Sequence, residues 1–318
     1  MEDCRIKELK DLITRQYSNI TGLMIKFNDQ IVFESYFSGF DENDTFHVAS
    51  ITKSITSALV GIAIDRGKIE SADQRVLDFF PEYKIKRRET TIQKITIKNM
   101  LTMTAPYKFR SEPYTKVYSS DDWTASALNL LGGKKVIGDF KYTTVGTQIL
   151  SGILERATGQ SVLDFARENL FAPLKIKVSG STAIKTREDY FAFIRNKNAS
   201  GWASDPQGVN TAGWGLTLSA RDMMKIGELY LNDGCFNENK IISSRWIKES
   251  TEEQSRFNEL SYGYLWWILD DDSYAAIGDG GNIIYISRRS HVIVTITSTF
   301  MAQARDRLEL ISTILEWL

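Results

Sequence analysis

The chain is poor in histidine, cysteine and proline. Its 318 residues include two histidines (His47 and His291), two cysteines (Cys4 and Cys235) and five prolines. Two cysteines cannot make a disulfide framework, and reduced thiols suit an intracellular protein. Two histidines leave no HExxH pattern, and no paired-cysteine pattern stands in for it, so no metal or other cofactor is implied. Charge of one sign is also missing: 39 Lys and Arg face 40 Asp and Glu, for a net charge of −1. That balance gives no electrostatic reason to expect nucleic acid or an anionic membrane as partner. No apolar run approaches the ~20 residues needed to span a bilayer. The first residues, MEDCRIKELKDLITRQ, lack the apolar centre of a secretory signal, which makes the cytoplasm the expected address. There is no G-x-S-x-G elbow and no G-x-x-x-x-G-K-[ST] loop, so an α/β-hydrolase and a P-loop enzyme are both disfavoured.

What is present is ordinary globular material, 42% hydrophobic and 25% charged, long enough for one large or two interleaved domains. Ile6, Leu9 and Ile13 recur at helical spacing. Residues 23–27 and 31–37 then alternate around Asn28-Asp29-Gln30, which predicts a β-hairpin. Ser50 is placed to cap a helix running through Ile64. Helices are predicted near 97–103, 122–131, 145–157 and 161–170, after Ser219, and after Ser243-Ser244. The period returns to two over 262–269, 274–278, 283–288 and 292–299, and Leu308, Ile311 and Leu315 close the chain at helical spacing. Strands at both ends and helices between predict an α/β (α+β) fold. An antiparallel sheet is flanked by the N- and C-terminal helices. Residues 1–67 and 213–318 would form the α/β domain, with 68–212 a mainly helical insertion. A small-molecule site is expected in the cleft between the two.

Ser50-Ile51-Thr52-Lys53 opens the first long helix after the hairpin. Residues i and i+3 share a face there, so Lys53 can reach the Ser50 hydroxyl. A serine is a poor nucleophile until a base takes its proton, and a lysine can act as that base when burial lowers its pKa. Free N–H groups at the helix start can stabilise an oxyanion. The spacing alone is also that of a capped helix with an exposed lysine. The nearly uncharged run from Ser54 to Ile64 argues instead for a buried helix. His47 lies three residues before Ser50, but no acid is nominated to orient it.

At this point the sequence resembles the class C β-lactamase-like serine hydrolases, a group with penicillin-binding proteins, carboxylesterases, D-aminopeptidases and 6-aminohexanoate-dimer hydrolase. Ser50-x-x-Lys53 resembles the first motif of that group. Ile97–Thr104 resembles its LLTMTSG segment, and Gly138–Thr144 resembles G-x-x-F-x-Y-S-N. The runs GTQILSGILERATGQSVLDFARENLFAPLKI, AGWGLTLSARDMMKIGELYLNDG and YGYLWWI follow in the family's order. Gly278-Asp279-Gly280-Gly281 stands where the family has a K-T-G or H-x-G strand. The resemblance implies a β-lactamase/transpeptidase-like fold, Ser50 as acylated nucleophile, and Lys53 and Tyr142 as proton-transfer groups. It also implies an oxyanion hole made by the backbone N–H groups of Ser50 and Asn282, with Gly280 and Gly281 admitting the substrate backbone.

Two positions depart from that pattern. Thr144 replaces an asparagine whose amide contacts substrate or the lysine. Asp279 replaces a lysine or histidine, and a carboxylate there should repel a substrate carboxylate by ~4 kcal/mol at ~4 Å and an effective dielectric near 20. Asp279 is expected instead to pair with Lys53 or to order a water. Trp202, Trp214 and Tyr107 are candidate wall residues for an acyl chain, whereas Trp266 and Trp267 read as core. The expected function is hydrolysis of a small-molecule ester or amide through an acyl-enzyme. The alternatives are a β-lactamase or DD-peptidase-like protein, and a non-catalytic binding module of the same fold.

Overall fold

The computed structural model describes residues 3–87, 89–195 and 200–318. Helix α1 (Asp3–Gln16) leads into strands β1 (Ile20–Phe27) and β2 (Gln30–Tyr36). Asn28 and Asp29 both lie in the left-handed region, φ 47° and 64°. That is the backbone a two-residue hairpin turn demands and that Asn and Asp tolerate. Helix α2 (Ile51–Asp65) follows, then α3 (Thr144–Thr158) and α4 (Ala220–Leu231). Strands β3 (Ser255–Phe257), β4 (Leu260–Tyr262), β5 (Trp267–Ile268), β6 (Ser273–Gly278), β7 (Asn282–Ser287) and β8 (Val292–Ser298) come next, and α5 (Arg307–Glu316) ends the chain. The sheet order is β2-β1-β8-β7-β6-β5-β4-β3, and all of its pairings are antiparallel.

The central strands β7 and β8 are buried on both faces. Val292, Val294 and Ile296 of β8 pack in one cluster with Leu9 and Ile13 of α1 and Leu310, Ile311 and Ile314 of α5. Ile293, between them, belongs to the other cluster, with α2 and α4. This alternation is what the period-two pattern requires of a strand between two helical layers. Lys26 of β1 and Glu228 of α4 join at 2.7 Å at the edge of that layer.

Helix α2 lies against the sheet on one side and α3 on the other. Its residues from Ile51 to Ala63 are all buried, which explains why it is apolar nearly all round. Gly61 permits the contact with Trp246: a Cβ there would lie 2.4 Å from the indole. The stretch read as one strand over 262–269 is two, because residues 263–266 leave the ladder and Leu265 takes φ 62°. Strand β3 and the helix Tyr114–Tyr118 are too short to show a period, and they and the helix Arg187–Arg195 are additions to the predicted elements. Among the described residues, no helix is long and apolar enough to cross a membrane, and no group of three or more His, Cys, Asp or Glu could hold a metal ion.

Candidate active site

Ser50 occupies the N-cap of α2. Ala49 before it has φ 48°, the left-handed region that a β-carbon disfavours. The turn is held from several sides. Val48 N–H donates to Leu216 O at 3.0 Å, and Thr52 Oγ1 donates to Ala49 O at 2.7 Å. His47 Nε2 accepts from Gly215 N–H at 3.0 Å. Burial pushes the His47 imidazole down to about 4, so it is a neutral acceptor at neutral pH. The histidine nearest the serine therefore props a loop.

Lys53 is 1% exposed. Its Nζ stands 2.9 Å from Ser50 Oγ, 3.0 Å from Thr144 Oγ1 and 2.8 Å from Gly213 O. Gly213 can come this close to α3 because it has no side chain: a Cβ would lie 2.5 Å from Thr147 Oγ1. Burial pulls the Lys53 ammonium down to about 7, against smaller upward pulls from Asp279 and Glu112. Tyr142 lies beside it, with Lys53 Nζ 4.9 Å from the ring centroid. Burial pushes the Tyr142 phenol up to about 12, while a hydrogen bond with Ser50 pulls it partly back. At neutral pH the amine, not the phenol, is the group able to be the base.

Aromatic rings gather at Tyr142 and at His47. Trp267 stacks on Tyr142 with centroids 5.8 Å apart, and Phe140 continues the row to exposed Phe257 at 5.4 Å. Trp267, read from sequence as core, is thus part of the site's surroundings, while Trp266 is fully buried against Tyr230. Trp214 meets His47, Tyr118 and Tyr190 at 6.0, 5.7 and 5.3 Å. Tyr107 and Trp202 do not line a wall. Tyr107 is 2% exposed, with its hydroxyl on Met100 Sδ, and Trp202 is fully buried, with Nε1 donating to Thr211 O. An apolar ring in a glycine-rich loop signals core packing and cleft lining equally well.

Asp279 is exposed, and its charge raises the pKa values of Lys53, Tyr142, Tyr114 and Tyr190. The direct Asp279–Lys53 pair is not formed: among the described residues no ion pair within 4.0 Å joins them, and Lys53 is satisfied by two hydroxyls and a carbonyl. Gly280 and Gly281, read as points of close approach for substrate, form the tight turn after β6 with φ 82° and 92°. Gly278 also permits a close approach, since a Cβ there would lie 2.2 Å from Val48 O. Asn282 faces Gly278 across the hairpin, and its side-chain oxygen accepts from Ser298 N–H at 3.0 Å. Glu112 was not foreseen. Its Oε2 accepts from Val145 N–H at 2.9 Å at the start of α3, and it acts on both Lys53 and Tyr142. It sits in a loop with no motif, so only the folded chain reveals it.

A hydroxyl, a buried amine and a phenol thus meet at the start of α2 in an α+β fold. The profile of the Beta-lactamase family matches residues 22–316, and the chain belongs to that family of serine hydrolases. It is 24% identical over 326 residues to the 6-aminohexanoate-dimer hydrolase of Paenarthrobacter ureafaciens, covering 93% of this chain and 77% of that one. Solved structures share the fold, among them two penicillin-binding proteins. The penicillin binding protein from Bacillus halodurans superposes with a TM-score of 0.70 at 18% identity, over 96% of this chain and 99% of that one. The penicillin-binding protein homolog from Caulobacter crescentus gives 0.70 at 14% identity, over 94% and 91%.

Proposed function

We propose that the protein hydrolyses small-molecule esters or amides that lack a carboxylate near the scissile bond, through an acyl-enzyme on Ser50. The observation that carries this reading is the 2.9 Å contact of Ser50 Oγ with a lysine held down to about 7 by burial. Neutral Lys53 takes the Ser50 proton as Oγ bonds to the carbonyl carbon, and the carbonyl electron pair moves to oxygen. Backbone N–H groups of Ser50 and Asn282 are the proposed oxyanion donors. Collapse of the intermediate breaks the bond to the leaving group, which receives a proton from Lys53 through Tyr142. Water then attacks the acyl-serine with the same groups acting in reverse order, and Ser50 regains its proton. Thr144 shares Lys53 with Ser50 and orients the amine. The division into residues 1–67 with 213–318 around 68–212 is proposed to open the cleft that admits the substrate.

The relative that acts on the 6-aminohexanoate dimer supports amide hydrolysis by this scaffold. A β-lactamase or DD-peptidase activity is disfavoured by exposed Asp279, whose charge would oppose a substrate carboxylate. A non-catalytic module has no use for a buried lysine on a serine. A burst of p-nitrophenol from p-nitrophenyl acetate, with acetylated Ser50 found by mass spectrometry and both lost in Ser50→Ala, is the expected result. Labelling by fluorescent penicillin without ester turnover would favour the second reading, and neither reaction would leave the binding module.

A further inference from the structure

The turn Asp279–Gly281 is held through its three carbonyl oxygens. Asp279 O accepts from Asn282 Nδ2 at 3.1 Å, and Gly280 O accepts from Asn19 Nδ2 at 2.7 Å. Gly281 O accepts from Arg307 Nε and Ser298 Oγ, both at 3.2 Å. The two outer supports are themselves joined, because Arg307 Nη2 donates to Asn19 Oδ1 at 2.6 Å. Arg307 also donates to Arg305 O at 2.9 Å and Ser298 Oγ at 3.4 Å, and its guanidinium lies 5.1 Å from the Tyr17 ring centroid. Residue 19 follows the first helix and residue 307 begins the last, so both ends of the chain meet at this turn.

Arg307 is 4% exposed, and among the described residues no carboxylate lies within 4.0 Å of it. A guanidinium buried without an anion is unfavourable unless its donors are well used. Here the rigid fork is spent on carbonyl and amide oxygens. A cavity of ≈ 400 Å³ lies between the turn and residues 300–308, and beside it the Arg307 guanidinium packs closely on Gly281, where a Cβ would lie 2.6 Å from Nε.

In a trans peptide the N–H points opposite to the C=O before it. Drawing Gly280 O toward Asn19 therefore turns the Gly281 N–H the other way, where it donates to Gly278 O at 3.2 Å. Drawing Gly281 O toward Arg307 turns the Asn282 N–H away from Arg307. Without these contacts, two successive glycines in the left-handed region could rotate their peptide planes at little cost.

We propose that Arg307, together with Asn19, is a positioning residue that fixes the peptide planes of the oxyanion-binding turn. The proposal rests on Ser50 being the nucleophile, and its test separates the two ideas. Arg307→Met, Arg307→Lys and Asn19→Ala are compared with wild type on p-nitrophenyl acetate and on its thionoacetate analogue. Sulfur accepts hydrogen bonds poorly, so the oxo/thiono rate ratio reports the alignment of the donors. The expected result is a 10- to 100-fold lower kcat on the oxo ester with KM little changed, a ratio reduced about tenfold, and partial recovery of both in Arg307→Lys relative to Arg307→Met. A purely structural role would lower both rates in proportion, and an unchanged ratio in an active variant overturns the proposal. Thermal melts establish that each variant is folded; if the Arg307 variants are not, Asn19→Ala decides, since it frees Gly280 O and keeps the guanidinium. Wild type that is never acylated at Ser50 removes the proposed function, and this inference with it.

Discussion

Two cations are buried with no ion-pair partner among the described residues, one against Ser50 and one against the turn 279–281, and the same physics gives them different properties. Lys53 and Arg307 are 1% and 4% exposed. Each is bonded to neutral oxygens, and for each the largest influence on its pKa is desolvation, which disfavours the charged form. Lys53 falls to about 7 from 10.5, and Arg307 to about 10 from 12.5. The lysine therefore titrates near neutrality, while the arginine stays charged. An ammonium is a compact donor on a flexible stem whose pKa moves readily on burial; a guanidinium is a planar fork that keeps its proton.

The contrast predicts its own largest effect. Lys53→Arg keeps the charge and a donor next to Ser50 but removes the ability to be neutral. It should lower kcat/KM on p-nitrophenyl acetate by about 10³-fold, within the range general-base catalysis contributes. Arg307→Lys should stay well short of that loss. Steady-state kinetics of the two variants side by side check the comparison, and equal losses would break it. Tyr142→Phe falls between them, at about 10²-fold, because its proton route to the leaving group can be replaced in part by water.

Sequence made one of these cations legible and not the other. Ser50 and Lys53 share a helix turn, so their contact follows from spacing, and the uncharged run after them announces burial. Tyr142 was found by resemblance, since nothing local joins residue 142 to residue 50. Arg307 looks like any charged residue at the start of an amphipathic helix, and Asn19 like any loop residue. Their meeting depends on how both chain ends pack behind the sheet, which periodicity does not encode. The sheet itself was readable, since β8 alternates between two cores. Trp202 and Tyr107 misled because an aromatic side chain in a loop carries the same signal in a core as in a cleft.

A smaller effect sharpens the account of Lys53. Only the neutral amine can take the serine proton, so kcat/KM should rise with pH through about 7 and level off above it. Asp279 and Glu112 both favour the protonated amine. Asp279→Asn and Glu112→Gln should therefore move this limb to lower pH, with the plateau little altered for Asp279→Asn. A limb that stays in place in both variants would mean that another group sets it.

The smallest effect is on stability, and it separates the two cations most cleanly. The folded-state pKa of Lys53 is depressed, so between about 7 and 10.5 the unfolded chain binds more protons than the folded one. Stability then rises with pH across that window, and below it both states are protonated and the burial penalty is fully felt. Arg307, with its folded pKa near 10, is charged in both states from pH 6 to 8.5 and adds no such slope. The rise in Tm from pH 6 to 8.5, followed by calorimetry, should be smaller in Lys53→Met than in wild type. Arg307→Met should instead lower Tm by a similar amount at both pH values. A wild-type slope retained in Lys53→Met would mean that the lysine is solvated in solution, and the reason for calling it a base would go with it.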